Sequence, residues 1–133
     1  MVKRDLSTLA LPGTMLCMVV PGRGGVLAQM RKGALQYCVL ALLRERERYA
    51  FDLVRSMSEL PGLETTEGTL YPLLSRLRRE GLVETSWQES AEGPPRRYYR
   101  VTPTGEQALE QFTREWTTFG STVDRLLRSG GTT

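Results

Sequence analysis

Apolar residues fall in blocks along the chain, and their periods predict three short helices, a hairpin and one long helix. From Gly33 to about Arg46, Ala34, Leu35, Tyr37, Cys38, Leu40, Ala41, Leu42 and Leu43 are apolar on nearly every side, which marks a central helix. The run Arg44-Glu-Arg-Glu-Arg48 reads as its solvated end or a turn. Tyr49 to Met57 predicts a second helix, with Phe51, Leu53, Val54 and Met57 apolar. Pro61, Gly62 and Leu63 form the connection. Leu70, Leu73, Leu74 and Leu77 then recur at i, i+3, i+4 and i+7, one stripe of a third helix that Thr65, Thr66 or Gly68 can cap and Gly81 stops.

Beyond Gly81 the period changes. Leu82 to Trp87 reads as a strand, Gln88 to Pro95 as a loop and Arg96 to Thr102 as a second strand, which together make a β-hairpin. Alternation puts Arg97, Tyr99 and Val101 on one face and Arg96, Tyr98 and Arg100 on the other. Thr102 suits an N-cap and Pro103 a first helical position. The last helix, Pro103 to about Arg128, carries Leu109, Phe112, Trp116, Phe119, Val123 and Leu126 at 3-4-3-4-3 spacing, a heptad seam. At 1.5 Å per residue it is roughly 39 Å long, too long for a small domain to cover. A second copy of the same helix is the expected partner. Folding back onto its own domain is the alternative. The whole order is mostly α with a small β-hairpin (α+β).

The third helix has an unusual second face. Gly68, Tyr71, Pro72, Ser75 and Arg79 point away from the leucine stripe, with Arg76 beside them. A solvated face would normally carry Glu and Lys. Small residues permit close approach, hydroxyls donate to phosphates, and arginine reads phosphate or guanine. Pro72 is harmless only in a first turn, so the helix either starts near Gly68 or Thr69 or bends there. Both arrangements put Thr69 and Tyr71 at the helix N-terminus, where amides and dipole favour a phosphate. Tyr71 packed on the hairpin, Arg79 paired with Glu80 or Glu84, and Arg97 and Arg100 in strand salt bridges are the plainer uses of these residues.

Composition narrows the function. The chain has 133 residues, one domain by length, with 40% hydrophobic residues and no apolar run of membrane-spanning length. Its net charge of +3 fits an anionic partner without demanding one. Arginine outnumbers lysine sixteen to two, a bias of GC-rich coding first and of phosphate binding second. From Leu70 to Thr102 six Arg face four Glu, so non-specific affinity is expected to be modest. Cys17 and Cys38 have no metal or redox spacing, and Cys38 reads as a buried hydrophobe in a reducing, cytoplasmic protein. Histidine is absent, which removes the commonest general base and metal ligand. No acid, base, nucleophile or metal set replaces it, no cofactor is implied, and an enzyme is not expected.

Residues 1–29 read differently, with breaks at Pro12-Gly13 and Pro21 to Gly25 and a short apolar run, Met15 to Val20. The expectation is a disordered extension, or an over-called translation start with Met30 as the true one. The domain then spans 30–102, the long helix 103–128 and a frayed tail 129–133.

The string Gly68-Thr-Leu-Tyr-Pro72, continued by Arg76, Leu77, Glu80, Gly81 and Leu82, closely resembles the signature of PadR-like transcriptional regulators, the phenolic acid decarboxylase repressor family. The stretch Gly93-Pro-Pro-Arg-Arg-Tyr-Tyr-Arg-Val-Thr-Pro-Thr-Gly105 is similar to that family's wing and its exit into the last helix. Tyr49-Ala-Phe-Asp-Leu53 departs conservatively from its Tyr-Gly-Tyr-Glu-Leu segment, and members begin near where Met30 stands. The resemblance covers about residues 30–128. It implies a winged helix-turn-helix with a long C-terminal dimerisation helix, acting on double-stranded DNA as a repressor. Thr69, Tyr71, Pro72, Ser75, Arg76 and Arg79 on the helix, with Arg96 and Arg97 on the wing, would contact DNA. A two-fold dimer implies a palindromic operator with half-sites about 10 bp apart. Some members respond to small aromatic or lipophilic compounds near the dimer helices; here Phe112, Trp116 and Phe119 would meet such an effector, or form a packed dimer core. The rival reading is a winged-helix adaptor that binds protein and no DNA.

Overall fold

The computed structural model describes residues 25–132, with side chains to Ser129. Four helices and three short strands follow in the order α1 (Val26–Glu45), β1 (Arg48–Tyr49), α2 (Ala50–Ser58), α3 (Glu67–Arg79), β2 (Val83–Ser90), β3 (Gly93–Val101) and α4 (Pro103–Thr132). The expected α+β winged helix-turn-helix with a long last helix is the fold observed.

The core forms where the stripes of the helices meet the inner face of the sheet. Val39, Leu40 and Leu43 of α1, Leu53 and Met57 of α2, and Leu70, Leu74 and Leu77 of α3 are fully or nearly fully buried, with Val83, Tyr99 and Leu109 closing the cluster. Each such side chain contributes about 1.5–3 kcal/mol of transfer free energy. Cys38 lies half-buried on α1, and burial pushes its thiol pKa above the usual value, which keeps it protonated.

α1 starts earlier than its periodicity suggested. Val26 to Gln29, counted above with the extension, form its first turn, and Gly33 is helix interior. A side-chain anchor accompanies that extension: Arg31 donates to the carbonyls of Gly62 (3.1 Å) and Glu64 (3.3 Å), pinning the α2–α3 connection to α1. The rest of the expectation for residues 1–29, and Cys17, lies outside the described residues. At the other end, α4 continues through Thr132, where a frayed tail from 129 was expected.

The sheet is antiparallel with β3 between β1 and β2. β1 was not foreseen. Arg48 and Tyr49 pair with Tyr99 and Tyr98. Nor is Arg48 part of a solvated turn, for it is 5% exposed. Its Nε donates to the Leu42 carbonyl (3.1 Å), Nη1 to Ser56 Oγ (2.9 Å) and Nη2 to Glu45 Oε1 (2.8 Å). Those bonds replace the water it loses and lock the end of α1 to α2.

The wing is also longer than expected. β2 and β3 pair from Val83↔Val101 to Ser90↔Gly93, so most of the expected 88–95 loop is strand. Pro94 and Pro95 donate no hydrogen bond, and they sit where the register shifts between Gln88 and Ser90. The expected alternation holds: Tyr99 is buried on the inner face while Arg96 and Arg100 are exposed.

Helix α3 is joined to α4 through the chain that leaves it. Gly81, at φ +78°, closes α3 with Gly81 N donating to Arg78 O and Leu82 N to Leu77 O. Thr102 then bonds that exit directly. Its N–H donates to Leu82 O (3.0 Å) and its hydroxyl to Gly81 O (2.6 Å), while the hydroxyl oxygen accepts from Gly105 N (3.0 Å) as the cap of α4.

Candidate nucleic-acid interface

Thr66 caps α3, its Oγ1 accepting from Thr69 N at 3.3 Å. The helix therefore starts at Glu67, and Pro72 lies in its second turn, not its first. Because Pro72 has no N–H, the Gly68 carbonyl four residues back gains no amide from it. Thr69, Tyr71, Pro72, Ser75 and Arg79 are all exposed, on the side away from the buried leucines.

Arg76 does not join them. It turns toward α1, where Nη1 donates to Gln36 Oε1 (3.1 Å), and it pairs with Glu80 at 3.5 Å. Arg78, which the sequence reading passed over, takes its place. It is exposed and forms a surface hollow with Ser75 and Arg79. The signal was present: Tyr71, Ser75 and Arg78 stand at i, i+4 and i+7.

Two acids near the site are engaged elsewhere. Glu80 pairs with Arg76, and Glu84 pairs with its cross-strand neighbour Arg100 at 2.7 Å. Arg79 consequently has no ion pair among the described residues, and neither do Arg78, Arg96 or Arg97. Four guanidinium groups are left for an outside anion. Arg100 takes the strand salt bridge that was its plainer use; Arg97 does not.

Arg96 and Arg97 are held over aromatic rings. Arg96 Cζ is 4.5 Å from the Tyr49 ring centroid and Arg97 Cζ is 5.1 Å from that of Trp87. Tyr98 meets the same Tyr49 ring edge-on at 5.4 Å. These rings orient the cations without neutralising them. Between the wing and α3 lies a cleft of about 400 Å³ lined by Tyr49, Ala50, Phe51, Tyr71, Ser75, Trp87, Pro95, Arg96, Arg97 and Tyr99. Two arginines, Ser75 and three tyrosines are among its lining residues, and no acidic residue is. Tyr49, Phe51 and Trp87 were not singled out by the sequence reading, because each belongs to a different element and only the fold assembles them.

The expected seam on α4 divides in two. Leu109 is buried in its own domain. Phe112 is half-buried and stacks on Tyr37 of α1 at 4.2 Å and on Trp116 at 5.6 Å. Further along, Trp116, Phe119 and Leu126 are 53%, 64% and 66% exposed, and Val123 is half-buried. Leu127 on α4 and Val26, Leu27 and Met30 on α1 add exposed apolar surface. No group of acids or thiols that could hold a metal ion occurs among the described residues, and none of their helices is long and apolar enough to cross a membrane.

A capped helix with an exposed small-residue, hydroxyl and arginine face, set beside an arginine-bearing hairpin, defines a winged helix-turn-helix of the DNA-binding regulator class. The comparisons make the family specific. The PadR-like family of transcriptional regulators matches residues 39–111, and the chain belongs to that family. It is similar to a PadR-like transcriptional regulator from Bacillus cereus, at 36% identity over 74% of this chain and 96% of that one, with a TM-score of 0.69. A PadR family regulator from Eggerthella lenta is 35% identical over 76% of this chain and 88% of its own, with a TM-score of 0.68. A transcriptional regulator of Mycobacterium tuberculosis is 33% identical over 64% of this chain and 78% of that protein. These likenesses place the chain among DNA-binding regulators, not enzymes.

Proposed function

We propose that the protein is a cytoplasmic, homodimeric repressor that binds a palindromic operator, with α3 in the major groove and the wing over the backbone. The observation that carries the dimer is the apolar stripe Trp116, Phe119 and Leu126, left exposed on a helix that outruns its own domain. Exposed stripes of this kind mark association surfaces. Two copies joined along α4 would present two α3 helices to successive major grooves, about one helical turn apart. Thr69, Tyr71, Pro72, Ser75, Arg78 and Arg79 would meet the groove and its flanking phosphates, and Arg96 and Arg97 the backbone. Arg76 supports α3 through Gln36 instead.

The test joins two measurements on the full chain. Light scattering should give twice the protomer mass, and a mobility shift on the protein's own promoter should weaken steeply with salt. A monomer, or binding indifferent to salt, would favour the adaptor reading.

The aromatic run Tyr37–Phe112–Trp116 supports a second element, relief of binding by a small planar aromatic or lipophilic effector seated beside Trp116 and Phe119. Trp116 fluorescence should respond to such compounds; indifference to a panel at their solubility limits would leave these rings as dimer core only.

A further inference from the structure

Resting on the DNA-binding reading above, we infer that the main-chain carbonyl of Gly68, left open by Pro72, accepts a hydrogen bond from the exocyclic amino group of one base in the major groove and so sets specificity at that position. In a regular helix the amide four residues on would occupy this carbonyl, but Pro72 stands there and has no N–H. Gly68 and Pro72 are both exposed, one turn apart on the side of α3 away from its buried leucines. The carbonyl between them lies near the middle of that face, which Ser75 and Arg79 continue toward the end of the helix.

Neither residue answers a need of the described protomer. Gly68 is helical, and a Cβ added there would meet nothing closer than Thr66 Oγ1, at the ordinary contact distance of 3.8 Å. Pro72 is exposed in the second turn. Proline and glycine are the two least favourable residues inside a helix. Local choices that weaken an element without serving its packing belong to functional sites. A pair of them on one exposed face therefore serves what meets that face.

The chemistry of that partner follows from the free group. A carbonyl only accepts, and phosphate oxygens only accept, so the DNA backbone cannot satisfy it. The same holds for guanine N7 and O6 and for thymine O4. The donors on the major-groove edges are the amino groups of adenine N6 and cytosine N4. The arginines of this face can only donate, so the carbonyl supplies what they lack. Gly68 has no side chain to hold a base edge away from the backbone. Pro72 is the positioning residue, because its missing N–H keeps the carbonyl open.

The test uses the full chain and a duplex that it selects from a random-sequence pool. Each adenine is replaced in turn by purine nucleoside, which lacks the N6 amino group, and each cytosine by 2-pyrimidinone nucleoside, which lacks that at N4. Wild type should lose about 5–10-fold in affinity at one such position for each copy bound, and the analogue responsible names the base. Pro72→Ala gives the Gly68 carbonyl an amide, so it should be indifferent at that position and keep the wild-type response at the others. Pro72→Val, which restores the amide but keeps apolar bulk, should behave as Pro72→Ala. Both variants should fold, and Pro72→Ala should melt at a higher temperature than wild type. Three results would overturn the assignment: no amino position to which wild type responds and Pro72→Ala does not, a wild-type response at that position in Pro72→Val, or a lowered melting temperature in Pro72→Ala. Failure of the wild type to enrich any duplex would instead remove the DNA-binding reading itself.

Discussion

The rings of Tyr37 and Phe112 stack at 4.2 Å with their planes 8° apart, which ties the first helix to the last within one protomer. Phe112 thus belongs to the domain, although it holds the same heptad position as Phe119, which is exposed. Phe112→Ala should lower protomer stability by about 2–3 kcal/mol, the range for losing a partly buried stacked ring. Phe119→Ala should leave the dilute protomer's urea midpoint unchanged and weaken association by about 10–100-fold, the equivalent of one buried side chain. Concentration-dependent urea melts and sedimentation separate the two effects.

Arg48 joins Leu42, Glu45 and Ser56 from a buried position. Replacing it by alanine strands the Leu42 carbonyl and removes the link between α1 and α2. Arg48→Ala should destabilise by about 2–4 kcal/mol. Arg48→Lys, with one point charge for a fork of donors, should recover only part of this in the same denaturation assay.

Gly105 lies where the first turn of α4 presses on the exit from α3. A Cβ there would run into the Leu82 carbonyl oxygen and would stand 2.7 Å from Val101 Cγ2. Backbone cannot move aside as a side chain can, so Gly105→Ala should cost about 3 kcal/mol or more. The contrasting change is Gly120→Ala, where nothing lies within 4 Å; calorimetry on dilute protein should show a gain near 1 kcal/mol from helix propensity.

Arg79 and Arg76 differ by three residues and in what they touch. Arg79→Gln should reduce the salt slope of duplex binding by about 0.9 per copy and weaken binding on every sequence tested. Arg76 is held by Gln36 and Glu80. Arg76→Gln should leave the slope in place and lower thermal stability by about 1 kcal/mol, as befits a half-exposed hydrogen bond and ion pair. Mobility shifts at four salt concentrations distinguish them.

Local signals carried most of the fold into the sequence. The leucine stripe of α3, a cap among Thr65, Thr66 and Gly68, Gly81 as a stop and Thr102-Pro103 as a start each act within one element, so spacing alone revealed them. What depended on other elements was hidden. Arg48 sits in a run of charges that looks solvated, and its burial depends on Leu42, Glu45 and Ser56 together. Gly33 looked like a helix start, yet α1 runs through it, with Arg31 anchored beyond on the Gly62 and Glu64 carbonyls. The heptad on α4 could not say where its own domain ends, because Leu109 and Phe112 keep the same spacing within the domain that the exposed Trp116, Phe119 and Leu126 keep beyond it. At the site, the exposed face of α3 was legible except for Arg76 and Arg78, which a helical wheel places near the boundary. The cleft was not, since Tyr49, Tyr71 and Trp87 meet only after the sheet has formed.

The central claim is that two α3 helices of one dimer read a symmetric duplex. Hydroxyl-radical footprinting on the protein's own promoter tests it most directly. The account predicts two protected half-sites related by two-fold symmetry, centred about 10 bp apart or at a multiple of that turn. A single asymmetric half-site protected by a monomer would contradict it.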